Sequence, residues 1–516
     1  PMRLGIDFGT TRTVIAAVTE GRYPVASFAT GDGFVDYLPG LATAGPAGVD
    51  FGSEAAIRLR GDAGALAPLL RSVKAAISGA APEDPVWALP AGEVLALDLV
   101  TDYLRYVRRM LLTRSNLDID PQEPLQAMVA VPAHASTQQR YLTLEAFAGA
   151  GFEVLGLVSE PTAAAIEYAR NSLRALSGRS PKRYVVVYDL GGGTFDAAAV
   201  SLRDRRFELI GAEGIARLGG NDFDEVIAGQ LLAQLGTPRS ALDQRQWAHL
   251  LERCRVAKEA LSNNSRRLLV ELDGLLDVGE AVLDAAAVYE AAAPLVWRSI
   301  GRLRALFGDL AAHGIDPENS RELGAVYLVG GSVQFPAVQR LLRREFARKV
   351  QLAPQPHAAT AIGLAVAADD DAGIYVREAP TRHFGVWREG AGGREKCFDA
   401  IIEKRSGAHP AGPLRVERRY RPTHRVGLLR FVECSQLDAR GQPSGDVTPW
   451  ENLLFPYDPR LSDCSDLAAH AGERGELGDA EILESYEYGP TGMIRVTIRN
   501  HSGGYQREYL LAGRGA

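Results

Sequence analysis

Short apolar runs alternate with amphipathic stretches over the first 368 residues. Tyr184-Val185-Val186-Val187-Tyr188 is apolar throughout and predicts a buried strand, as do Ala127–Val131 and Tyr327–Val329. Thr137–Ala150 and Ala337–Phe346 carry helical spacing, and Ala358–Ala368 is apolar on every face, which predicts a buried helix. Strands alternating with helices indicate an α/β domain over residues 1–368. Asp369-Asp370-Asp371 interrupts the pattern, and 369–381 reads as a linker. From 382 to 516 the helical period fades. Gly492–Arg499 alternates apolar and polar positions, and Val426–Val432 is a second strand candidate, so this part predicts a small antiparallel β-domain. Gly441–Pro459 and Ser462–Gly478 are expected to be loops or surface turns.

The 516 residues suffice for two or three domains, and 46% hydrophobic with 23% charged residues allows an ordinary core. A net charge of −7 argues against nucleic acid as the main partner. The four cysteines form no CxxC pair, which argues against a zinc site or a disulfide framework and points to a reducing, cytoplasmic setting. No apolar run approaches the roughly 18 residues of a membrane span. The chain enters a strand at once, so no signal peptide is expected.

Two aspartate-led turns carry the chemistry. Gly5-Ile6-Asp7-Phe8-Gly9-Thr10-Thr11 lies near the start, and Asp189-Leu190-Gly191-Gly192-Gly193-Thr194-Phe195-Asp196 follows the clearest strand. Glycines let backbone N–H groups approach an anion, threonines add donors, and aspartates suit hydrated Mg²⁺. One such turn in each half of a long domain suggests a phosphate gripped from both sides. A third glycine turn, Gly330-Gly331-Ser332, follows the strand that ends at Val329 and leaves room for a flat ligand. Glu160-Pro161 opens an alanine-rich helix, where Glu160 reads equally as a cap. Lys74 on its own reads as an exposed helix lysine.

The combined order of these residues resembles the nucleotide-binding domain of the 70-kDa heat-shock chaperone (DnaK) family, within the actin and sugar-kinase superfamily. The resemblance rests on Gly5–Thr11, Lys74, Val131-Pro132-Ala133-His134, Glu160–Ala165, Asp189–Asp196, Leu218-Gly219-Gly220-Asn221-Asp222-Phe223-Asp224 and Leu328–Ser332, spread over about 370 residues. It implies the two-lobed ATPase fold followed by a small antiparallel β-sandwich. Phe384-Gly385-Val386, Ile401–Arg405 with Pro410, and Tyr486–Val496 resemble strands of that family's peptide-binding β-subdomain.

The resemblance also implies roles. Asp7, Asp189 and Asp196 would hold Mg²⁺, mostly through waters. Gly9, Thr10, Thr11, Gly191, Gly192, Gly193 and Thr194 would hold the phosphates of ATP or ADP. Lys74 would stand near the γ-phosphate with Glu160 positioning it and the water, and Asp7, Asp189 and Thr194 would complete the catalytic set. Gly219, Gly220, Lys258, Ser262, Gly330, Gly331 and Ser332 would contact the nucleotide. Pro132 and Arg140 match a pair that relays nucleotide state. Expected partners are unfolded or extended polypeptides, a J-domain co-chaperone and a nucleotide exchange factor, with no nucleic acid and no membrane.

The sequence departs from the family pattern at the adenosine end. In the helix Leu251–Ser262, Arg255 stands for a glutamate and Glu259 for a basic or apolar residue. Gln334 replaces the arginine that stacks on adenine, with Arg255 as its partial substitute, and His357 stands for an aspartate. In the linker only Ile374-Tyr375-Val376 is apolar. The helical lid is expected to be missing, since the chain ends soon after the strand Arg507–Leu511. The expected function is a slow chaperone-like ATPase whose nucleotide state controls polypeptide binding by a lidless β-domain. The alternatives are a nucleotide-gated scaffold for one dedicated partner, with little turnover, and a small-molecule kinase of the same superfamily.

Overall fold

The computed structural model describes residues 1–511 apart from 32, 46–47, 62–66, 173–179, 317–320, 377, 379, 391–394, 405–412 and 490. Arg405 and Pro410, named above, lie outside the described residues. The chain divides into two compact units: Pro1–Ala133 with Glu145–Val376, and His134–Leu144 with Arg377–Ala516.

The first unit is built on two sheets of matching design. Strands β1 (Met2–Phe8), β2 (Arg12–Ala17), β3 (Leu38–Pro39), β4 (Leu125–Val131) and β5 (Glu153–Ser159) lie in the order β5-β4-β1-β2-β3. Strands β6 (Tyr184–Leu190), β7 (Phe195–Ser201), β8 (Arg206–Ile215), β9 (Leu323–Val329), β10 (Val350–Leu352) and β11 (Tyr375–Val376) lie in the order β10-β9-β6-β7-β8-β11. In each sheet the central strand, β1 or β6, pairs parallel on one side and antiparallel on the other. The near-continuous burial of β6 fits its place between two neighbours and under helices.

Two helices tie the sheets together. Helix α4 (Glu160–Asn171) follows β5, and Ser159 caps it by accepting from the N–H of Thr162 at 3.3 Å. It packs against β6, β7 and β8 of the other sheet. Helix α9 (Ala359–Ala368) comes late in the chain but packs on β1, β2 and β4, and against α4. Its sequence is small and apolar on all sides, and a Cβ at Gly363 would stand 1.8 Å from the carbonyl oxygen of Ala163. A Cβ at Gly5 would stand 2.2 Å from the backbone nitrogen of Ala365. Backbones therefore touch directly at both faces of α9. Val14 and Ala16, Ala164 and Ile166, Val185 and Val187, and Ala361 and Ala365 fill one apolar cluster shared by both sheets.

The linker's apolar residues belong to the same body. Tyr375 and Val376 pair parallel with Arg206 and Phe207, and Ile374 and Val376 pack against that shared cluster. The acidic run forms one short 3-10 turn, Asp370–Ala372, with Tyr23 donating to Asp369 at 2.7 Å and Arg3 pairing with Asp370 at 2.6 Å.

The second unit holds two four-stranded antiparallel sheets. β12 (His383–Gly390), β13 (Glu395–Ile402), β15 (Val426–Leu437) and β16 (Pro443–Pro456) lie in the order β13-β12-β15-β16. β14 (Leu414–Tyr420), β17 (Ile482–Tyr488), β18 (Ile494–Asn500) and β19 (Tyr505–Leu511) lie in the order β14-β17-β18-β19. Phe384, Phe431, Trp450, Phe455, Tyr486 and Val496 are buried in one core. Glu484 is fully buried within it and accepts from Arg388 on the other sheet at 2.7 Å, from Tyr420 at 2.6 Å and from Tyr486 at 2.7 Å. A fully hydrogen-bonded carboxylate is tolerable in a core, and it fixes the register of one sheet on the other. Thr137 donates to the buried Glu433 at 3.2 Å, beside Arg382, and Arg140 is buried against Gly492.

One expectation needs correction. Gly441–Pro459, read as loop, contains the 14-residue strand β16. Its two glycines and internal Pro449 read as breakers. β16 is an edge strand with a register shift opposite Val432, where a proline is accommodated.

The close contact at α9 yields a paired prediction. Gly363→Ala should destabilise the first unit by about 2 kcal/mol or more, because backbone rather than a side chain blocks the new methyl. Gly301→Ala, in the helix Ala285–Ala312 with open space around it, should instead stabilise by about 0.5–1 kcal/mol. Chemical denaturation of the two variants checks both signs.

Candidate active site: facing glycine hairpins

The central strand of each sheet ends in the same kind of hairpin. After β1, the N–H of Gly9 donates to the carbonyl of Arg12 at 2.9 Å; after β6, the N–H of Gly191 donates to that of Thr194 at 3.1 Å. The two tips face each other. A Cβ at Gly192 would lie 2.2 Å from Cγ2 of Thr11, and one at Gly193 would lie 2.9 Å from Cγ2 of Thr10. Among the described residues, the backbone N–H groups of Thr10, Thr11 and Gly192 donate to no protein acceptor. All three residues line one cavity.

Neighbouring elements hold the second tip. Gly219 and Gly220 open helix α5 (Gly220–Leu235); the N–H of Gly220 donates to Gly191 at 3.0 Å and that of Asn221 to Gly192 at 2.7 Å. Ser332 Oγ donates to the carbonyl of Gly191 at 2.8 Å. Gly330 has φ +88°, and a Cβ there would fall 2.6 Å from Asp189 Oδ1. Parallel pairing of Asp189 with Val329 brings that turn alongside.

Lys74 lies on a single helical turn, Val73–Ala76, whose cap Ser72 accepts from the N–H of Ala75 at 3.0 Å. Its Nζ donates to Glu160 Oε1 at 2.7 Å, joining residues 86 positions apart at the N-terminus of α4. Burial works against the ammonium charge, but Glu160, Asp7 and Asp189 outweigh it and hold the Lys74 pKa above its ordinary value. Burial, reinforced by Glu160 and opposed by Lys74, pushes the Asp7 and Asp196 carboxyls up to about 7. Asp189 is raised by burial and then by Glu160, Asp196 and Asp7. A dense group of buried carboxylates thus faces one lysine.

Fifteen of the residues given a catalytic, metal or nucleotide-contacting role from sequence line this cavity: Asp7, Gly9, Thr10, Thr11, Lys74, Glu160, Asp189, Gly191, Gly192, Thr194, Gly220, Lys258, Gly330, Gly331 and Ser332. Gly193, Asp196 and Gly219 stand just behind the lining. Asp196 pairs across from Asp189, and a Cβ at Gly219 would press on the backbone of Gly192 at 2.6 Å. Ser262 is not brought to the cavity. Helix α6 (Gln244–Glu259) ends before it, and Ser262 sits on an exposed turn bonded to Ser265.

The adenosine end differs from the sequence reading. Arg255 lines the cavity, but its Nε bonds Glu252 at 3.0 Å and its Nη1 bonds Glu259 at 2.9 Å, so its fork is occupied. Lys258 donates to Gly220 at 2.7 Å and to the buried Asp224 at 2.6 Å, which also accepts from Arg71 at 2.6 Å. His357 faces Asp36 at 2.7 Å, and that hydrogen bond draws the Asp36 carboxyl below its usual range. Arg12 and Thr360, which sequence reading passed over, also line the cavity.

A family model described as Hsp70 protein matches residues 120–379. A "Chaperone protein HscA homolog" from Burkholderia thailandensis is 31% identical over 527 residues, covering 97% of this chain and 77% of that protein. A homologue of the same description from Burkholderia pseudomallei (strain 668) is 31% identical over 533 residues, with the same coverage. The chain belongs to the Hsp70 family. It is accordingly an Hsp70-family chaperone with the ATP-binding, ATPase fold of that family. As in the family generally, ATP or ADP with Mg²⁺ is the ligand class to which the facing hairpins are to be related. Among the described residues, no helix is long and apolar enough to cross a membrane.

The facing tips give a direct test. Gly192→Ala should force them apart and lower ATP affinity by at least about fivefold, the equivalent of the lower end of overpacking strain. Gly229→Ala, in α5 with open space around it, should leave affinity unchanged. Calorimetric titration with ATP reads both.

Proposed function

We propose that this Hsp70-family chain hydrolyses ATP slowly between the two glycine hairpins and uses nucleotide state to control polypeptide binding by its β-unit. The observation that carries the reading is the pair of facing tips with free backbone N–H groups, lining one cavity with the Lys74–Glu160 pair. The hydroxyls of Thr10, Thr11 and Thr194 and the backbone N–H groups of Thr10, Thr11 and Gly192 bind and orient the β- and γ-phosphates, while Gly9 and Gly191 close the hairpins that present them. Lys74 places positive charge beside the γ-phosphate, and Glu160 fixes the ammonium and orients the attacking water. Phosphoryl transfer asks the protein mainly for such positioning and charge stabilisation.

The carboxylates fit a hydrated Mg²⁺. Asp7, Asp189 and Asp196 converge, and burial disfavours their charge, so a cation answers a need that one lysine leaves unmet. Mg²⁺ keeps several of its waters and takes few carboxylates directly, so these residues would meet it mostly through water. Mg²⁺, when bound with the nucleotide, would neutralise phosphate charge. In the β-unit, an extended peptide would be held by main-chain hydrogen bonds and apolar pockets.

Single-turnover ATP hydrolysis, with and without unfolded peptide, tests the proposal. Lys74→Ala and Thr194→Ala should each slow hydrolysis by about two to three decades, the usual cost of removing one group that stabilises transferred charge. Peptide should stimulate wild-type turnover, and ATP should weaken binding of a labelled peptide. ATP binding without turnover would instead support the dedicated scaffold, and phosphate delivered to a sugar would support a kinase.

A further inference from the structure

Among the described residues, four Lys or Arg side chains line the nucleotide cavity, each with a carboxylate partner. Lys74 is paired with Glu160, Lys258 with Asp224 and the Gly220 carbonyl, and Arg255 with Glu252 and Glu259. Arg12 differs in its free donors. It is the first residue of β2, one position beyond the first hairpin tip. Its guanidinium lies 4.3 Å from the centre of the Tyr37 ring, and its Nη2 stands 2.9 Å from Glu259 Oε1. Its Nε and Nη1 make no hydrogen bond among the described residues. Nη1 lies 3.7 Å from where a Cβ of Gly331 would be, so the free edge of the fork sits beside the Gly330–Gly331 turn.

That placement is specific. A Cβ at Gly330 would fall 2.6 Å from Asp189, one of the carboxylates that Lys74 faces, whereas one at Gly331 would fall 3.7 Å from Arg12. The apolar residues Leu261, Phe335 and Pro356 line the cavity beyond this turn. We infer that Arg12 is a phosphate-contacting residue, whose free donors take the phosphate closest to the nucleoside, with Tyr37 and Glu259 holding its plane in position. A planar fork held on one face and along one edge loses little freedom on binding, and it matches phosphate oxygens geometrically. Glu259 then acts as a positioning residue rather than as a contact to the base. The inference rests on the nucleotide reading proposed above.

Calorimetric titration of the full chain with ADP and ATP in Mg²⁺, and with AMP and adenosine, tests it. Arg12→Ala should weaken ADP, ATP and AMP by about ten- to hundredfold, as for loss of a charged hydrogen bond, and leave adenosine within about twofold. Arg12→Lys should recover part of the phosphate-dependent loss. Glu259→Gln, which loosens the hold on Arg12, should weaken ADP by a smaller factor than Arg12→Ala does and leave adenosine unchanged. Equal losses for adenosine and ADP in Arg12→Ala would show that Arg12 only braces the wall and would overturn the inference. Unaltered ADP affinity in Arg12→Ala would overturn it while leaving the nucleotide reading standing. A wild-type chain that binds none of the four ligands would remove that reading, and this one with it.

Discussion

Everything in the first unit depends on two helices that cross between the sheets with no side chain between their backbones. Gly363 of α9 lies on Ala163 of α4, and Gly5 of β1 lies on the other face of α9. Each helix follows one half of the chain and packs on the sheet of the other half. The halves cannot drift apart without exposing a cluster made of both sheets and both helices. Protein interiors tolerate only discrete rearrangements of such contacts, so the aspartate-bearing strand ends are held opposite one another as a matter of packing.

The halves share a topology but divide the chemistry unevenly. Each contributes a central strand with an aspartate as its penultimate residue, followed by a four-residue hairpin. The first half adds Lys74 and Glu160; the second adds a third glycine, the support of α5 beneath its tip, and the Gly330 turn. The uneven division explains why the second turn is the more conspicuous in sequence. Its glycines are pressed from both sides, by Thr10 and Thr11 in front and by Gly219 behind.

Much of this was legible because the strands that carry the site are apolar and their turns are made of residues with few other uses. The run Tyr184–Tyr188, the buried helix Ala359–Ala368 and the strand β18 all stand where the apolar pattern places them. Strand β16 was not legible, because an edge position tolerates the glycines and prolines that elsewhere end a strand. Arg255 could be placed at the cavity, but not its two carboxylate partners one turn away in either direction, which consume its donors. Arg12 was missed for the converse reason. Its neighbours Tyr37 and Glu259 are distant in sequence, and only the pairing of β2 and the end of α6 brings them together. The one available signal was an arginine immediately after Thr10-Thr11, opposite an unexpected glutamate at 259.

The two-residue strand β11 has a role apart from joining one unit to the next. β8 is the last long strand of its sheet, and at Arg206 and Phe207 its outer edge is satisfied by Tyr375 and Val376. An uncovered strand edge is a template for another chain. The linker is therefore also a cover on that stretch of edge, and a state that releases it would leave the outward backbone groups at Arg206 and Phe207 open to another strand.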